Sequence, residues 1–151
     1  MMHVSDGADN MLLYSLIITD WHTHRAALSE LRREVFIEEQ QVPEALEWDH
    51  EDEDAMHLLA IDLGGLPIGC ARLLHDGRLG RMAVRKDCRG QGVGAALLAM
   101  ALDLFREQCF EQVTLSAQVH AIGFYERAGF KVCSEVYDDA GIPHRDMTLT
   151  L

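Results

Sequence analysis

A chain of 151 residues, 48% of them hydrophobic, is long enough for one domain with one buried core and short for two. Its net charge of −12 speaks against nucleic acid as a partner, because affinity for a phosphate backbone comes from clustered Lys and Arg. No window approaches the roughly 18 apolar residues of a membrane span, no signal region opens the chain, and four scattered cysteines without C-x-x-C suggest no zinc cluster or disulfide framework, so a cytoplasmic protein with reduced thiols is expected.

Residues 1–10 read as a flexible segment ahead of a single domain over residues 11–151. A strand is predicted over 12–19. Asp20 then caps a helix with Ala26, Leu28, Leu31, Val35 and Phe36 on its apolar side, and Pro43 ends that region. The apolar runs 58–63 and 68–74, separated by Gly64-Gly65-Leu66-Pro67, read as a hairpin. A strand over 79–84, a helix from 93 to about 108, a strand over 112–117 and a short helix over 121–128 follow, with strands over 132–137 and 147–151 closing the chain. The fold class is α/β in the broad sense (an α+β mixed sheet): one mostly antiparallel sheet with helices on its faces.

The segment between the strand at 79–84 and the following helix reads R-K-D-C-R-G-Q-G-V-G. Gly90, Gly92 and Gly94 remove β-carbons that would hold an anion away from the backbone, and the unsatisfied amides of the next helix face the same space. A pyrophosphate fits such a cradle. Arg81, Arg85, Lys86 and Arg89 place four of the thirteen basic residues beside it, which offsets the acidity of the whole chain locally. A Walker A loop is disfavoured because Gly94 is followed by Ala95-Ala96 rather than Lys-Ser/Thr. A dinucleotide fold is disfavoured by glycines that come late in the chain and by Glu111 lacking an obvious second strand before it.

Arg89-x-x-Gly92-x-Gly94, after a strand ending in Met82-Ala83-Val84, resembles the coenzyme signature of the GNAT acyltransferases. The stretch Q-V-H-A-I-G-F-Y-E-R-A-G-F over 118–130 resembles that family's second coenzyme motif, with Ala121, Tyr125, Gly129 and Phe130 at its offsets and Gln118 where many members carry Asn. Val35-Phe36-Ile37-Glu38-Glu39-Gln40, Val42-Pro43, the acidic run to Asp52, His57 and Gly141-Ile142-Pro143-His144 are similar to the ElaA-like or YjcF-like branch. The resemblance covers nearly the whole chain beyond its first ten residues.

The resemblance implies a GNAT fold and N-acetyl transfer from acetyl-CoA to a primary amine of a small molecule or peptide, by direct attack in a ternary complex. It implies no metal and no membrane partner, and it allows a homodimer. Coenzyme contacts are expected from Met82, Ala83, Val84, Arg89, Gly90, Gln91, Gly92, Val93, Gly94, Gln118 and Tyr125. Backbone groups of Met82 and Val84 would pair with the pantetheine arm as another strand does. Tyr125 is the expected general acid: a phenol, with its pKa near 10, is protonated at neutral pH and can supply the departing thiolate. Glu39 is the first candidate base, with Asp49 and His57 as others, while His144 reads more readily as a structural histidine. Residues 38–54 hold nine carboxylates and no Lys or Arg, which suggests a solvated loop or, at the acceptor opening, attraction for a cationic amine. The alternative to an enzyme is a coenzyme-binding sensor that has lost turnover.

Overall fold

The structure, a computed structural model, describes residues 2–4 and 12–151. Most of the segment expected to be flexible lies outside the described residues, but β1 (Met2–Val4) is a strand, paired antiparallel with β2 (Leu13–Thr19). The Asp20 carboxylate accepts the backbone N–H of Thr23 at 2.8 Å and caps α1 (Trp21–Arg32), as its position predicts. The chain then widens into a π-helical segment, Arg33–Glu39, and makes a single turn, α2 (Glu44–Glu47). β3 (Met56–Asp62), β4 (Pro67–Leu73) and β5 (Leu79–Val84) complete a five-stranded antiparallel sheet in the order β1-β2-β3-β4-β5.

α3 (Val93–Glu107) covers one face of this sheet and α1 the other, and the strands alternate accordingly. Leu58 and Ala60 of β3 join the cluster around α3, whereas Leu59 joins Leu28, Leu31 and Val35 on the α1 side. α3 sits tightly on β4 because position 69 is glycine: a β-carbon there would come within 3.0 Å of the Leu97 and Val93 side chains.

β6 (Gln112–Gln118), α4 (Ile122–Arg127), β7 (Lys131–Val132), β8 (Tyr137–Asp139) and β9 (Ile142–Thr150) form the second half. Here the structure departs from the expected single sheet. β6, β7 and β8 each pair with β9 in a separate antiparallel sheet, and the named strands of the two sheets do not pair. One parallel bridge, Arg78 to Thr114, joins them at the base, supported by the Thr114 N–H donating to the Gly77 carbonyl at 3.0 Å. The predicted strand over 132–137 is two short strands, and β9 begins at Ile142 rather than 147. Ala140 and Gly141, both at positive φ, turn β8 directly into β9.

Candidate active site

Above the Arg78–Thr114 bridge, β5 and β6 run in the same direction without pairing, so the far edge of β5 keeps backbone groups that no strand satisfies. A cleft of about 1420 Å³ occupies the gap. Its walls are the π-helical segment, β5, the start of α3, the polar face of β6, α4 and the start of β9. β5 carries one residue more than β4 between the pairs Gly80–Arg72 and Ala83–Cys70, and Arg81 takes φ 46° at that bulge. The Cys70 thiol donates to the Arg81 carbonyl at 3.3 Å and helps hold this distortion.

Gly90 and Gly92 adopt φ 76° and 86°, with open space where their β-carbons would stand. Gly92 is the N-cap of α3 and offers no side chain to the first turn, whose earliest helical bond is the Ala96 N–H to the Gly92 carbonyl at 3.0 Å. The amides of Val93, Gly94 and Ala95 therefore remain free for an anion at a dipole-favoured helix start. Gly94 lies inside the first turn of α3, where a β-carbon would stand in ordinary van der Waals contact with the Phe124 ring at 3.5 Å. The cleft wall includes Met82, Ala83, Val84, Arg89, Gly90, Gly92, Val93, Gly94, Gln118 and Tyr125. Gln91 is outside it, and the Ala83 methyl is buried in the core.

The basic cluster is less free than its sequence suggests. Arg89 holds Glu39 through both terminal nitrogens, at 2.6 and 2.7 Å, while its Nε donates to the Val84 carbonyl at 2.9 Å. Arg85 lies 3.4 Å from Asp87 and 3.5 Å from Glu34. Arg81 turns away from the cradle to Glu47 and Asp49. The fork from Arg89 holds the Glu39 carboxyl below the usual carboxylate range. That engagement counts against the expected use of Glu39 as a base, since a carboxylate bonded twice to guanidinium is a weak proton acceptor.

Two other base candidates are structural. His57 is buried against Trp21, its Nε2 donates to the Asp52 carbonyl at 2.9 Å, and desolvation pushes its pKa down. Asp49 accepts from Arg72 at 2.8 Å and from Arg81 at 3.3 Å. Neither lines the cleft. The acidic run is divided: Glu38, Glu44, Glu53 and Asp54 are exposed, whereas Glu47 and Asp52 are buried. Arg32, 1% exposed, bonds Glu47 and Asp52 at 2.7 Å each between the Trp21 and Trp48 rings, and Arg72 reaches Asp52 at 3.1 Å. Glu39 and Glu47 are the members of the run that reach the cleft wall, and both are ion-paired, which leaves little free negative charge to attract a cationic amine. Arg32 and Arg72 escaped the sequence reading because their partners lie 15 to 23 positions away.

Tyr125 lines the cleft from α4. Its ring meets Phe124 and Phe130 edge-on at 5.0 and 5.9 Å, its hydroxyl points to the Met82 sulfur at 3.6 Å, and burial pushes its pKa up to about 12. Across the cleft, the side chains of Gln40 and Gln118 exchange hydrogen bonds at 2.8 and 3.4 Å, tying the end of the π-helical segment to β6. Glutamine at 118, a departure from the common asparagine, is long enough for that span.

The model of the acetyltransferase (GNAT) domain matches residues 21–151. An uncharacterized N-acetyltransferase of Bacillus subtilis, YjcF, is 36% identical over 121 residues, covering 78% of this chain and 86% of that protein. ElaA of Escherichia coli K12 is 33% identical over 129 residues, 80% of this chain and 84% of ElaA. Among solved structures, an acyl-CoA N-acyltransferase from Pseudomonas aeruginosa is 34% identical and superposes with a TM-score of 0.80 over 89% of this chain and 98% of its own. A cleft between two splayed sheets, a left-handed glycine cradle at a helix start and these relatives have one common explanation: the chain belongs to the GNAT acetyltransferase family.

Proposed function

We propose that this protein is a cytoplasmic N-acetyltransferase that moves the acetyl group of acetyl-CoA to a primary amine, on a small molecule or a peptide, within a ternary complex. The observation that carries the reading is the juxtaposition, in one cleft, of the unpaired β5 edge, the Gly90–Gly92 cradle at the start of α3 and the Tyr125 hydroxyl. The amides of Val93, Gly94 and Ala95, with Arg89, are suited to a pyrophosphate. Backbone groups of Met82 and Val84 bind the extended pantetheine arm as a strand would, and a backbone N–H at the bulge stabilises negative charge developing on the thioester oxygen. Gln118 closes the opposite wall. Tyr125, protonated throughout the physiological range, donates its proton to the leaving sulfur. Glu39 acts through Arg89, holding the guanidinium at the cradle's rim before the coenzyme arrives.

Thermal unfolding with acetyl-CoA, coenzyme A, NAD and ATP added separately tests the binding half. A ligand at a hundred times its Kd stabilises by about 2.7 kcal/mol, so a raised midpoint is expected with acetyl-CoA and coenzyme A alone. No shift with either would remove the basis of the reading. Thiol release on adding primary amines tests transfer, and a coenzyme-induced shift with no thiol release for any amine would favour a binding module instead.

A further inference from the structure

The β6–β9 sheet has two unlike faces. Val113, Leu115 and Ala117 of β6 and Met147 of β9 are buried in the core, so strand alternation puts Thr114, Ser116 and Gln118 on the opposite side. Antiparallel register sets Asp146 opposite Ser116 and His144 opposite Gln118, with Tyr137 of β8 opposite His144 on its other flank. Ser116, Gln118, His144 and Asp146 line the same cleft as Tyr125. His144 thus lies one strand away from the glutamine that ties β6 to Gln40.

The imidazole of His144 is held in a defined chemical state. Its Nδ1 lies 2.7 Å from the Ile142 carbonyl oxygen, which can only accept, so Nδ1 carries the proton and the neutral ring keeps its lone pair on Nε2. Among the described residues no hydrogen bond is made to Nε2. The ring stacks on Tyr137 at 6.1 Å and 22° between planes. Tyr137 is itself fixed, its hydroxyl donating to Asp146 at 2.5 Å and bonded to Ser116. The Asp146 carboxylate is therefore engaged by Tyr137, and the orienting partner of His144 is a backbone carbonyl. Glu39, Asp49 and His57 are each engaged elsewhere, and of the two histidines in the cleft wall, His120 and His144, it is His144 whose ring is fixed by a hydrogen bond and a stacking partner.

We propose that His144 is the base that takes the proton from the acceptor amine, an inference that rests on the N-acetyl transfer reading above. The amine nitrogen bonds to the thioester carbonyl carbon and its proton passes to Nε2 of His144. The C–S bond breaks with its electron pair on sulfur, and sulfur takes the phenolic proton of Tyr125. Amide and thiol leave, the imidazolium gives its proton to solvent, and the phenolate regains one, so charge and protons balance.

Two measurements on the full chain decide the matter. His144→Asn keeps an N–H donor near the Nδ1 position for the Ile142 carbonyl and removes the base. With n-butylamine as the probe amine and thiol release as the readout, kcat should fall about a hundredfold or more while the acetyl-CoA-induced shift in unfolding midpoint stays as in the wild type. A variant within twofold of wild-type kcat overturns the proposal, as does one that loses coenzyme binding in parallel. Wild-type turnover of the probe reports separately on acetyl transfer itself. Independently of turnover, 15N NMR of the wild-type imidazoles, with His144 assigned by its loss in the variant, should show the neutral ring protonated on Nδ1. Protonation on Nε2 instead would overturn the assignment.

Discussion

Tyr125 carries two roles that a single atom separates. Its ring packs between Phe124 and Phe130, while its hydroxyl stands against the Met82 sulfur, so Tyr125→Phe keeps the packing and removes the proton. The expected outcome is a kcat lower by about 10²- to 10⁴-fold, with folding stability and coenzyme Kd unchanged; steady-state kinetics beside calorimetry checks it. Undiminished turnover would show that solvent supplies the proton. Arg89 and Glu39 form a second test, because the two readings of Glu39 predict different outcomes. If Glu39 only holds Arg89, Glu39→Gln leaves kcat near wild type and weakens coenzyme binding, and Arg89→Ala weakens it further, about tenfold or more. If Glu39 is the base, the glutamine variant loses kcat and keeps Kd. The pairing itself was not legible from sequence, since 50 positions separate the two residues. Gly90 and Gly92 were legible because positive φ is a local property of a turn.

At the scale of elements, strands and helices set by local pattern followed the sequence, and those set by distant partners did not. The Asp20 cap, the hairpin of β3 and β4 and the extent of α3 are written in residues a few positions apart. The acidic run reads as solvated loop in isolation, yet three of its carboxylates, Glu47, Asp49 and Asp52, fold around Arg32 and Arg72. Arg32→Met should cost about 3 kcal/mol in denaturant unfolding, because it takes from two buried carboxylates the partner each meets at 2.7 Å and leaves Glu47 to Arg81 and Asp52 to Arg72 alone. His57 beneath this network gives the same region a pH signature. Its folded pKa lies below the unfolded value of 6.5, so between the two the unfolded chain binds more protons. Stability contributed by neutral His57 is complete above pH 6.5 and is lost as pH falls through the folded pKa. The unfolding midpoint should therefore decline on acidification from neutral pH, and a His57→Gln variant should lack that phase. Under the same sheet, Gly69→Ala should destabilise by about 1–3 kcal/mol, since the added methyl meets two side chains of α3 and the Ala83 carbonyl at 3.0 to 3.3 Å.

For the whole molecule, family motifs made the fold class readable while the division into two sheets was not, because nothing local to 79–84 or 112–118 says that neighbouring parallel strands will refuse to pair. The bulge at Arg81 distorts β5 where the two strands diverge, the Arg78–Thr114 bridge closes the base of the V, and the Gln40–Gln118 pair ties the π-helical segment to β6. A molecule built this way leaves backbone donors exposed at two places, the free edge of β5 and the first turn of α3, and a ligand lying across both would replace a missing strand and a missing cap together. Hydrogen exchange with and without coenzyme A reads this directly. Amides of Met82, Val84, Val93, Gly94 and Ala95 should exchange markedly more slowly with coenzyme, and those of β2 and β3, already paired within the five-stranded sheet, should hardly change at the same labelling times. Protection spread evenly over both sheets would mean that the ligand stabilises the fold from a site elsewhere. Protection confined to the start of α3 would mean that the phosphates bind there while the thioester arm leaves the V unfilled, and the geometry assigned to Tyr125 and His144 would then lack its substrate.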